Sequence, residues 1–215
     1  MKIKSFFLLT FLSLSLLAKA QCFPVDTLKL NTTYRLLEKN PGNEELKKQF
    51  FDSFPNTWFD FISTYGYSSQ EGYDLSMYFM VNKHLDALGS QSSKVSDAAY
   101  CEKIVSLAIG AILDADGPNA LHGLEHAVMK NKTKAMMSVI ANLTEPDQML
   151  YWQFYWSALF KKDYVDEYEQ LRKKLINDYP NETKIMDIAF EYFCGKVLFG
   201  SWNHINGRKL AFEGR

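Results

Sequence analysis

The chain has 215 residues, 47% hydrophobic and 15% aromatic, with 24 basic and 25 acidic side chains. A balance this close to neutral excludes the strongly basic surface that nucleic-acid binding uses. Beyond the first twenty residues no apolar run is long enough to span a membrane, so membrane insertion is not expected.

The N-terminus reads as a secretory signal. Lys2 and Lys4 precede an apolar run from Phe6 to Leu17, and Ala18-Lys19-Ala20 is a small-x-small cleavage site before Gln21. The expected division is a signal peptide over 1–20, a helical domain over 21–199 and a loosely ordered tail over 200–215. Loss of Lys2, Lys4 and Lys19 leaves 21 basic against 25 acidic residues, a net charge of −4. Lipid attachment at Cys22 wants an aliphatic residue and a small one where Lys19 and Gln21 stand. The expected product is therefore soluble, in a bacterial periplasm or outside the cell.

The remaining pattern is helical throughout. A short helix is predicted over 30–39, ending before Asn40-Pro41-Gly42, and another over 43–54, with Glu44 and Glu45 in its first turn, where carboxylates favour the dipole. Pro55-Asn56 breaks the chain ahead of a helix over 57–64. Residues 65–69 read as a polar loop, followed by a helix over 70–88 that Gly89 stops. Ser96 can cap a helix over 97–114, whose Ala108, Gly110 and Ala111 permit close approach of a neighbour. Asp116-Gly117-Pro118 restarts the chain for a helix to about Lys130, and Thr133 opens another to Leu143.

Thr144-Glu145-Pro146-Asp147 resembles a capping box. The helix it opens runs Met149 to Trp156 and is apolar nearly all round, the mark of a buried central helix. An amphipathic helix over 163–178 and a last one over 182–199 complete the count. No stretch alternates at period two. The predicted class is all-α: one domain of eight or nine helices, as an irregular antiparallel bundle or a HEAT-like helical stack.

Cys22, Cys101 and Cys194 survive signal removal. An oxidising compartment favours one disulfide and one odd thiol. Three pairings are open, and Cys22–Cys101 is preferred because it would tie down the N-terminus. Four Asn-x-Thr triplets, at Asn31, Asn131, Asn142 and Asn181, match the N-glycosylation pattern but read better as capping residues.

His122-Gly123-Leu124-Glu125-His126 matches H-x-x-E-H, the inverzincin metalloprotease pattern. Histidines at i and i+4 share a helix face, and both can ligate zinc beside Glu125 as base. A third ligand would come from Glu145, Glu167, Glu169, Glu182 or Glu191, none of which the spacing singles out. The motif covers five residues, and Gly123 weakens its helix by about 1 kcal/mol, so two solvated histidines are the preferred reading and zinc the alternative. Tyr65, Tyr67 and Tyr73 lie in or beside a polar loop with Gly66 and Gly72; tyrosines in loops suit partner binding, and these three are the predicted contact residues.

The stretch from Phe50 to Phe61 with Tyr65-Gly66-Tyr67, and the stretch Thr144-Glu145-Pro146-Asp147-Gln148 running into Tyr151-Trp152-Gln153-Phe154, resemble a group of exported, all-helical, uncharacterised proteins of Bacteroidota bacteria. That resemblance implies a periplasmic or surface location and supplies no catalytic residue. Asp26-Thr27-Leu28 also resembles the short O-glycosylation motif of those bacteria. By analogy, compact exported helical proteins include immunity proteins that neutralise secreted toxins. The leading expectation is a non-catalytic exported protein that binds another protein, in immunity or inhibitor fashion, with a secreted toxin as partner and no cofactor. The alternatives are a zinc-dependent hydrolase built on His122, Glu125 and His126, and a structural component of a cell-envelope assembly.

Overall fold

The computed structural model describes residues 25–67, 75–113, 116–157 and 160–194. The signal segment, Cys22, Tyr73, His204 and the tail over 200–215 lie outside the described residues. Nine α-helices and two short 3-10 turns account for the regular structure of the described residues, which contain no strand. None of these helices is long and apolar enough to cross a membrane.

The starts follow cap chemistry legible in the sequence. Helix α1 (Thr27–Lys39) is capped by Asp26, which accepts from Lys29 N at 2.9 Å. Asn43 accepts from Glu45 N and Leu46 N to open α2 (Glu44–Ser53). Thr57 opens α3 (Trp58–Tyr65), Ser96 opens α5 (Asp97–Ala108) and Thr144 opens α7 (Glu145–Tyr155), each accepting from the backbone N–H three residues on. Such caps satisfy amides that the helix leaves unpaired, at about 1 kcal/mol each.

Elsewhere the boundaries move. Of the helix expected over 70–88, residues 70–74 lie outside the described residues, and a 3-10 turn over Tyr78–Met80 leads into α4 (Val81–Gly89). Helix α5 stops at Ala108 rather than continuing to 114, because Gly110 adopts φ +75°, a left-handed conformation that ends helices. Gly110 is thus a terminator, not a packing notch. Gly117 is the notch: a Cβ there would meet Val81 Cγ2 at 2.9 Å, so α4 and the next helix approach through it. That stretch, α6 (Asp116–Ile140), leaves helical geometry at Lys132 (φ −129°, ψ 34°), so two helical segments meet at a kink between Lys130 and Thr133, where a break between two helices is expected. Helices α8 (Val165–Leu175) and α9 (Pro180–Phe193) follow.

Helix α1 packs on α2, α2 on α4, and α4 on α6; α5 lies along α6 and also meets α3 and α7. Helix α7 contacts α5, α6 and α9, and α8 packs on α9. One continuous set of buried apolar side chains runs from Leu30 to Cys194. The chain is therefore an all-α single domain. The central helix is α7, as its all-round apolarity implies: Tyr151, Trp152, Phe154, Tyr155 and the following Trp156 are all at most 1% exposed.

Cys101 and Cys194 are free and buried, and burial pushes both thiols up to about 11. The bridge expected at Cys101 is not seen. Its position on the α5 core face makes it a small apolar filler, and its expected partner lies outside the described residues.

One buried charge fastens the α2–α3 corner. Lys103 of α5 donates to the carbonyls of Phe54 (3.0 Å) and Pro55 (3.4 Å) and to Asn56 Oδ1, with its Nζ 4.6 Å from the Phe51 ring centroid. Burial lowers its ammonium to about 8. Lys103→Met is expected to leave two carbonyls unpaired, at a cost of about 1–3 kcal/mol. Amide exchange should speed up at the corner before it does elsewhere.

Candidate functional site

The two histidines of the H-x-x-E-H motif do come together, one turn apart on α6, but they face inward. His122 is 6% exposed, and the side chain of His126 is 15% exposed. Their Nε2 atoms lie 3.2 Å apart, and each is 3.0 Å from the carbonyl oxygen of Tyr155. Tyr155 is the last residue of α7, where carbonyls lack intrahelical donors and the dipole is negative. The expected pair of solvated histidines is thus a buried pair seated on a helix C-terminus.

Glu167 of α8 completes the group. It accepts from His126 Nδ1 at 2.8 Å and from the Tyr155 hydroxyl at 2.7 Å. Partial burial pushes its carboxyl upward, but the hydrogen bonds from His126 and Tyr155 together carry it below its ordinary value. Burial, with the adjacent His126, drives His122 down to about 4. The Tyr155 ring stacks on His126 (centroids 4.0 Å, 16° between planes), and Tyr164 covers both imidazoles from the side. The five glutamates open as partners are thereby reduced to Glu167.

Glu125 does not take the role expected of it. It is fully buried, and neither carboxyl oxygen has a hydrogen bond among the described residues. Burial raises it far above the ordinary carboxyl range. The Tyr151 hydroxyl lies near enough to favour the carboxylate slightly, but no bond of normal length closes. A carboxyl that burial pushes up in this way is ill suited to serve as an ionised general base. Among the described residues no three His, Cys, Asp or Glu side chains converge as a metal cage.

The predicted contact tyrosines separate. Tyr65 belongs to α3 and is 4% exposed; its hydroxyl meets His84 Nδ1 at 2.9 Å, and it is a core residue rather than a contact. Tyr67 is 67% exposed, and Tyr73 is not among the described residues. Two aromatics that the sequence reading passed over join Tyr67. The Tyr67 ring meets Tyr78 (5.6 Å, 68°), and Tyr78 meets Phe79 (5.4 Å, 80°), which is 71% exposed. No motif marks these two: they lie in the 3-10 turn ahead of α4, in a segment whose composition reads as ordinary helix.

No family model, curated protein or solved structure matches this chain.

Proposed function

We propose that this chain is a non-catalytic, exported helical protein that binds another protein through the aromatic rim of Tyr67, Tyr78 and Phe79. The observation that carries the reading is that Tyr67 and Phe79 are ordered by edge-to-face contacts with Tyr78, yet left open to water. Covering such rings gains about 25 cal/mol per Å² of apolar area. Rings already held by a neighbour lose little further freedom on binding. Aromatic side chains also concentrate at the energetic centres of protein interfaces. The complete burial of Glu125, which raises its carboxyl, argues against the hydrolase alternative, which needs it as an ionised base. An immunity or inhibitor role against a secreted toxin is the specific form of this reading, and it rests on analogy with compact exported helical inhibitors.

Site-specific photocrosslinking tests it. A benzoylphenylalanine replaces Phe79 in one version and, as control, the equally exposed Leu28 of α1 in another. In the native host the first version is expected to give one protein adduct of defined mass, displaced by excess unmodified chain but not by the Phe79→Ser chain. No adduct at 79, or the same adducts at both positions, overturns the reading. A toxin in the adduct would support the immunity form.

A further inference from the structure

We propose that His122 Nε2, His126 Nε2 and the Tyr155 carbonyl oxygen form one face of a structural binding site for a borderline divalent metal, zinc in the first instance. The argument begins with lone pairs. The three atoms lie 3.0, 3.0 and 3.2 Å from one another, and all three can present electron pairs to the space they share. Glu167 takes the Nδ1–H of His126, which leaves Nε2 of the neutral ring with its lone pair turned inward. With a single proton among them, on His122 Nε2, the pair of His126 Nε2 and the Tyr155 carbonyl oxygen at 3.0 Å has no hydrogen between its atoms. A cation at their focus reconciles all of them.

The dimensions suit a metal. At the usual zinc–nitrogen distance of about 2.0–2.1 Å, two nitrogens 3.2 Å apart subtend about 100° at the ion, close to a tetrahedral angle. The carbonyl, at similar range from both nitrogens, fits a third position on the same side. The negative end of α7 adds its field. The carboxylate on His126 Nδ1 is the outer partner that ligating histidines commonly have, and the Tyr155 hydroxyl fixes that carboxylate in turn. A water supplies the remaining position. Because Glu125 is committed to the core beside Tyr151, the ion would tie α6 to the end of α7, and Glu167 would bring in α8. This is independent of the aromatic rim and of its partner.

The test uses the purified protein, stripped with EDTA and titrated with zinc by calorimetry. One ion per chain is expected, and cobalt is expected to give the visible absorption of a low-coordinate site. His126→Ala should weaken binding at least a hundredfold. Glu167→Gln, a positioning change at a half-exposed side chain, should weaken it about 10–100-fold while leaving the thermal stability of the metal-free protein near that of the unaltered chain. No stoichiometric binding, or binding that survives His126→Ala, overturns the assignment.

Discussion

Trp156→Ala is expected to remove about 3–5 kcal/mol of folding stability, the range for deleting a large buried aromatic. Trp156 is fully buried where α7, α8 and α9 meet. Its ring touches Trp152, Tyr155, Tyr164, Tyr168 and Phe190, at centroid separations from 4.7 to 6.4 Å. These neighbours are themselves large and interlocked; Tyr168 and Phe190 stack at 4.0 Å. They cannot collapse into the space an alanine leaves, which places the loss at the upper end. Domains of this kind are stable by about 5–15 kcal/mol, so the variant should unfold at much lower urea and melt roughly ten degrees lower. Trp156→Phe is the control. The indole N–H has no hydrogen-bond partner among the described residues, so phenylalanine removes an orphaned donor along with some contact, and it should cost less than half as much. Equal losses for the two variants would mean that the indole's bulk is not what holds the hub.

Acid should destabilise the protein through His84. This histidine is fully buried among the rings of Tyr34, Phe50 and Tyr65. The Tyr65 hydroxyl and His84 Nδ1 hydrogen-bond to each other, and His84 Nε2 is buried without a partner among the described residues. Burial lowers His84 from 6.5 to about 4. Between those values the unfolded chain binds the proton and the folded chain does not, so stability rises with pH across that window and is lost as pH falls through it. The full loss amounts to about 3 kcal/mol, with a limiting slope of about 1.4 kcal/mol per pH unit. His122, also driven to about 4, acts in the same direction in metal-free protein. Glu125, raised by burial, opposes them, because the unfolded chain releases its proton where the folded chain keeps it. His84→Gln is therefore expected to lower the slope by up to about 1.4 kcal/mol per pH unit between pH 5 and pH 6.5, whatever its effect at neutral pH. Urea midpoints across that interval provide the measurement; an unchanged slope would show that His84 is accessible to protons in the folded state.

Much of the helical layout was legible because it is written in local chemistry. Ser96 and Thr144 each cap the helix expected of them, Asn43 and Thr57 cap helices expected to begin with them, and Met149–Trp156 is the buried central helix that its composition implies. What failed depended on tertiary surroundings. Tyr65 sits in a polar-looking stretch, but the extra helical residue at the end of α3 turns its ring inward to His84. Glu125 has the sequence position of a catalytic base, yet which side of α6 is dry was decided by α7. The spacing of His122 and His126 did foretell their meeting. Their third neighbour is a main-chain oxygen, which no residue type announces, and Glu167 became distinguishable from four other glutamates only when α8 was placed.

The near-parallel indoles of Trp152 and Trp156, 6.3 Å apart with 14° between their planes, have an optical consequence. Aromatic rings held rigidly against one another are optically active in the near ultraviolet only while the packing is fixed. The junction of α7 with α8 and α9 would thus report on its own integrity without any attached label, and its near-ultraviolet circular dichroism should weaken in Trp156→Phe while the helical signal in the far ultraviolet persists.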